Sequence, residues 1–103
     1  MKRHWMAFLL TLACVMPAAA QNQDALYARS LAATCAHCHG TDGKGAADAS
    51  LPPIAGMPRD YLSTQLKAFK AGTRPATIMH QLSKGYSDAQ IDQLAAYFAA
   101  QKK

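Results

Sequence analysis

Two stretches of the chain repeat apolar residues with the period of a helix. Leu62, Leu66 and Phe69 fall at i, i+4 and i+7, so one stripe faces a core. Pro58 suits a first helical position and Gly72 a helix end, so the spacing predicts a helix from Pro58 to Gly72. Ile91, Leu94, Ala95 and Phe98 fall at i, i+3, i+4 and i+7. Ser87-Asp88-Ala89-Gln90 before them fits a capping box, and Lys102 and Lys103 suit the C-terminal end of that helix's dipole. An earlier helix is predicted over Asp24 to Ala33. Asp24 charges its start, Leu26, Tyr27 and Leu31 supply its apolar side, and it feeds directly into Cys35. Two long connections remain, Gly40 to Met57 and Thr73 to Tyr86. Connections this long in a small domain are expected to wrap a ligand. Three helices and two long loops leave a centre that a cofactor would complete.

Composition strengthens the helical reading. Alanine is abundant, no valine occurs from Gln21 onward, and the only isoleucines are Ile54, Ile78 and Ile91. Strand formers are scarce, so the expected class is all-α.

The first twenty residues carry a different pattern. Lys2, Arg3 and His4 precede an apolar run from Trp5 to Met16, and Pro17 leads into Ala18-Ala19-Ala20. This reads as a secretory signal peptide, residues 1–20, cut after Ala20. The run is too short to span roughly 30 Å of hydrocarbon as a helix, and Thr11-Leu12-Ala13 is a poor context for lipidation at Cys14. The expected domain is then residues 21–103, a size at which a core needs a staple. The formal charge of +5 falls to +3 once Lys2 and Arg3 leave. There is no basic run and no interleaving of basic and aromatic residues, so nucleic acid is not an expected partner. No stable membrane insertion is expected after cleavage.

Beyond the leader, Cys35 and Cys38 are the only thiols. They lie in Cys35-Ala36-His37-Cys38-His39, and C-x-x-C-H is the attachment signature for c-type haem. Two thiols can add to the two vinyl groups on one side of a porphyrin, and a histidine directly after the second is brought beneath the iron. The competing readings fit less well. A redox dithiol needs a strand-to-helix junction in a βαβ setting, and strands are absent. A structural zinc site needs four ligands, and no second C-x-x-C exists. A plain disulfide would close too short a loop to stabilise much. His39 is therefore the expected proximal ligand, and His37, between the thiols, is expected at the surface. For the opposite side of the iron the candidates are Met57, Met79 and His80. Met57 abuts a helix start, a poor place from which to turn inward. Met79 and His80 sit in the second long connection, which can cover the far face, and only one of them can reach the iron.

These residues resemble the small single-haem class I cytochromes c of bacteria, from about Ala25 to Gln101. "CAHCHGTDGKG" resembles the haem-attachment helix and the turn after it. "PPIAG", Pro52 to Gly56, resembles the Pro-x-Leu-x-Gly segment, with Ile54 in the Leu place; the resemblance implies that the Pro52 carbonyl accepts the Nδ1–H of His39. "RDYLSTQLKAFKAGTRPATIMHQLSKGYSDAQIDQLAAYFA" resembles the haem subunit of flavocytochrome c sulfide dehydrogenase and related dihaem cytochromes. It implies Met79 as the axial ligand opposite His39, and Tyr97 and Phe98 as the aromatic pair where the last helix crosses the first.

The resemblance implies a small cytochrome c fold, three main helices and long loops around one haem c joined to Cys35 and Cys38. It implies single-electron transfer in the periplasm rather than catalysis, with Ile54, Leu66, Phe69, Ile78 and Leu82 excluding water. The implied partner is a redox protein, in one form an FAD-bearing sulfide dehydrogenase subunit. A free shuttle to an oxidase is the alternative. A haem protein with a labile sixth ligand, binding small ligands or acting like a peroxidase, is the alternative of another class.

Overall fold

The computed structural model describes residues 18–47 and 51–103. Among these, four α-helices and one 3-10 turn follow in the order α1 (Ala18–His39), the 3-10 turn (Thr41–Gly43), α2 (Arg59–Ala71), α3 (Met79–Lys84) and α4 (Asp88–Ala99). Of the expected leader, residues 1–17 lie outside the described residues, and Ala18–Ala20 form the first turn of α1.

Helix α4 is the centre of the core. Ile91, Leu94, Ala95 and Phe98 are all buried, as their spacing requires. Its start is a complete capping box: the Ser87 side chain accepts from the Gln90 N–H at 3.1 Å, and Gln90 Oε1 accepts from the Ser87 N–H at 2.9 Å. Helix α2 lies against α4. Leu62 is buried, Leu66 packs on the same cluster, and the Arg74 guanidinium sits 4.5 Å over the Phe69 ring. At the rim of this contact Asp92 of α4 accepts from Ser63 at 2.6 Å and pairs with Lys67 at 2.8 Å. The Lys67 ammonium first and the Ser63 hydroxyl second hold the Asp92 carboxyl below its ordinary value.

The structure corrects several boundaries. The first helix does not stop at Ala33 but runs on through both cysteines to His39. Nothing in Cys-Ala-His-Cys-His opposes a helix, and the break comes at Gly40. There φ is 84°, and a Cβ would lie 2.1 Å from the Gly45 carbonyl oxygen, so only glycine fits the turn. Leu26 and Tyr27, expected on its apolar side, are exposed, while Leu31 packs on the core. Pro58 precedes α2 as its cap, with an extended ψ of 134°, rather than forming its first turn. Helix α4 ends at Ala99, so Lys102 and Lys103 lie beyond its last turn. The connection from Thr73 to Tyr86 is not irregular throughout, because Met79–Lys84 form α3. A helix of six residues is too short to display a period or to be stable alone, and α3 is held by packing on α2.

Candidate functional site

Helix α1 supplies Cys35, Cys38 and His39 within its last two turns. Both thiols are free and partly buried. Burial pushes the Cys35 thiol above its ordinary value, and the Thr34 hydroxyl opposes this only in part. A buried, protonated thiol is a poor redox nucleophile, which argues further against the dithiol reading. No cluster of three or more His, Cys, Asp or Glu side chains that could hold a metal occurs among the described residues, so the zinc reading has no ligand set there. His37 is exposed on α1.

The turn after His39 folds the chain back beneath it. Gly43 accepts from both the Ile54 and Ala55 N–H groups, at 2.8 and 2.9 Å, and the Gly56 N–H reaches the Phe98 carbonyl at 2.8 Å. These bonds fix the segment carrying Pro52 and Ile54 against α4. Gly43 is buried between that segment and the core. With φ at 74°, a Cβ there would lie 2.7 Å from Ile54 Cγ1 and 2.8 Å from the Phe98 ring. The outcome is a 2.7 Å contact between His39 Nδ1 and the Pro52 carbonyl. A carbonyl only accepts, so Nδ1 carries the proton and Nε2 keeps its lone pair. On the outer side Tyr97 of α4 donates to Asp42 of the turn at 2.5 Å. The hydrogen bond to Asp42, then burial, then the Asp42 charge push the Tyr97 pKa up. Tyr97 also meets Phe98 edge to face, with ring centres 5.3 Å apart.

Met79 is the first residue of α3 and partly buried, as is its neighbour His80. Ile78 and Leu82, on either side of them, are 55% and 47% exposed to solvent among the protein's own atoms. His80 Nδ1 and Ser83 Oγ are buried without a hydrogen-bond partner. Met57 packs against the core cluster. Helices α1 and α3 each pack on the α2–α4 pair, α1 on α4 and α3 on α2.

The donor set fits a covalent haem. Two free thiols are spaced for the two vinyl groups, and an imidazole has its outer nitrogen already bonded. The elements bearing His39 and Met79 share a common scaffold, α1 on α4 and α3 on α2, and large apolar side chains flank Met79. Residues 25–102 match the family described as cytochrome c. The chain belongs to the cytochrome c family. As a cytochrome c it binds haem c covalently through the Cys35–Cys38 pair and is an electron carrier.

Over 68 residues, 66% of this chain and 60% of the relative, this cytochrome is 41% identical to the cytochrome subunit of sulfide dehydrogenase of Chlorobaculum tepidum. Over 71 residues, 69% of this chain and 33% of the relative, it is 41% identical to the thiosulfate dehydrogenase electron acceptor of Thiomonas intermedia. Among solved structures it is similar to cytochrome c4 of Acidithiobacillus ferrooxidans, with a TM-score of 0.63 and 33% identity over 85% of this chain and 52% of that one. The chain thus spans between a third and six-tenths of the length of these relatives.

Sequence reasoning missed Thr34 and Tyr86, whose side-chain oxygens lie 2.6 Å apart. It also missed the Asp42–Tyr97 bond. Single polar residues 50 or more positions apart leave no periodic signal. A tyrosine beside the Ser87 cap, in a stretch otherwise exposed, was the available hint.

Proposed function

We propose that this cytochrome works in the periplasm, holds its haem iron between His39 and Met79, and accepts electrons from an enzyme that oxidises an inorganic sulfur compound. The observation that carries the site is the 2.7 Å contact between His39 Nδ1 and the Pro52 carbonyl. It fixes the tautomer and ring orientation and leaves Nε2 as the donor nitrogen. Bound haem supplies a one-electron couple, and a thioether opposite an imidazole raises its potential relative to two imidazoles. The chain's own residues orient and shield. Pro52 fixes the imidazole, the thiols of Cys35 and Cys38 anchor the group to α1, and α2 holds α3 in place. Ile54 packs against the core, and Ile78 and Leu82 present apolar surface beside Met79. With His39 and Met79 both holding the iron, no open position would remain for a substrate, which suits electron transfer.

Support for the partner comes from the relatives, one a subunit of sulfide dehydrogenase and one an acceptor for thiosulfate dehydrogenase. We favour an FAD-bearing sulfide dehydrogenase subunit as the electron donor. The leader pattern in residues 1–20 supports export with cleavage after Ala20, and haem c attachment outside the cytoplasmic membrane requires such export. The test is rapid mixing of oxidised cytochrome with a sulfide-oxidising flavoprotein and sulfide. Reduction within the turnover time of the enzyme is expected. Failure to be reduced, together with carbon monoxide binding by the untreated ferrous protein, would favour a ligand-binding haem protein instead.

A further inference from the structure

Thr34 and Tyr86 are 52 positions apart in the chain, yet their side-chain oxygens are 2.6 Å apart. The proton assignment follows from the other partner. Thr34 Oγ1 also lies 3.0 Å from the Leu31 carbonyl, which can only accept, so the single Thr34 proton goes there. The Tyr86 hydroxyl therefore donates to Thr34 Oγ1. The bond joins two informative places. Thr34 directly precedes Cys35 on α1. Tyr86 is locked onto the end of α3, with its N–H on the Ser83 carbonyl at 3.2 Å and the Gly85 N–H on the Leu82 carbonyl at 3.1 Å. The Tyr86 ring packs on the core cluster.

Helix α3 needs such a contact. It has six residues, its N-terminus has no side-chain cap, and an isolated helix of that length does not hold its shape. Packing on α2 supports one side. The other α1 side-chain bond to this end of the chain, from Gln90 Nε2 to Tyr27 Oη at 3.0 Å, reaches α4 and not α3.

We propose that Tyr86 and Thr34 form a latch that holds the Met79-bearing helix against the haem-bearing helix. The latch sets how easily an added ligand displaces the Met79 sulfur. Tyr86 and Thr34 are positioning residues, and their role rests on Met79 being the sixth ligand.

The experiment uses the holoprotein as wild type, Tyr86→Phe, Thr34→Val, the double variant and Tyr27→Phe. Ferric protein is titrated with imidazole while the near-red sulfur-to-iron charge-transfer band is followed. All five forms should show the band. Tyr86→Phe and Thr34→Val should each lower the imidazole midpoint about fivefold, the worth of one hydrogen bond. The double variant should match the singles, and Tyr27→Phe should keep the wild-type midpoint. If the band is present and both latch variants titrate like wild type, the latch is wrong and the Met79 assignment stands. If Tyr27→Phe lowers the midpoint as much as Tyr86→Phe, general loosening replaces the latch. A wild-type protein without the band would overturn the Met79 assignment and the latch with it. Thr34→Val keeps the test alive if Tyr86→Phe does not fold.

Discussion

Removing the Tyr97 hydroxyl, by Tyr97→Phe, tests how the turn behind the haem ligand is held. Phenylalanine keeps the edge-to-face contact with Phe98 at 5.3 Å, so the loss isolates the 2.5 Å bond to Asp42. A hydrogen bond to a charged group is worth about 1.5–3 kcal/mol. Partial solvent exposure brings this one to about 1–2 kcal/mol. For a domain of this size each kcal/mol moves Tm by roughly 4–8 °C. Guanidinium unfolding of both holoproteins, followed by far-UV circular dichroism, measures the gap directly. The pH dependence supplies a second check. Asp42 and burial raise the Tyr97 pKa in the folded chain above an unfolded value of about 10. The folded state therefore binds the proton more tightly. The stabilisation is full below about pH 10 and is lost as pH rises through the higher folded value. The gap between wild type and Tyr97→Phe should stay constant near neutral pH and narrow above about pH 10. A gap under roughly 0.5 kcal/mol, the ordinary scatter of surface substitutions, would refute the tether. So would a gap that widens at high pH.

Gly43→Ala should cost about 2–4 kcal/mol in the same unfolding assay, combining overpacking against Ile54 and Phe98 with left-handed strain. Gly72→Ala, whose Cβ would meet nothing within 4 Å at a φ of 77°, should cost only about 1–2 kcal/mol; equal costs would show that Gly43 is not packed as described. Ser87→Ala removes the capping box of α4 and should cost about 1 kcal/mol, read as a shift in the denaturant midpoint with an unchanged slope. Acid acetone should leave the haem with the chain, whereas a haem that extracts would show it is not joined to Cys35 and Cys38.

The parts of this fold legible in the sequence are those with local redundancy. Helix α4 has an apolar stripe and a complete cap, and both occur as read. The Leu62, Leu66 and Phe69 stripe located α2, with only Pro58 moved from first turn to cap. Cys35 and Cys38 were legible because covalent attachment demands a fixed spacing. Helix α1 was harder: its first half carries Leu26 and Tyr27 on a surface that the described residues do not cover, so its apolar positions gave no reliable face. Its true end depended on Gly40, where the backbone of Gly45 approaches. Helix α3 was invisible because its stability comes from α2 and not from its own six residues. The Asp42–Tyr97 and Thr34–Tyr86 bonds depend on the finished fold and have no signature of their own.

The central claim is that Met79 and His39 hold the iron, with His80 a bystander. The ferric near-red spectrum of the holoprotein, compared with Met79→Ala and His80→Ala, tests it most directly. The account predicts a sulfur-to-iron band in the wild type that survives His80→Ala and disappears in Met79→Ala. A band that persists in Met79→Ala, or a wild type that lacks it, would contradict the account.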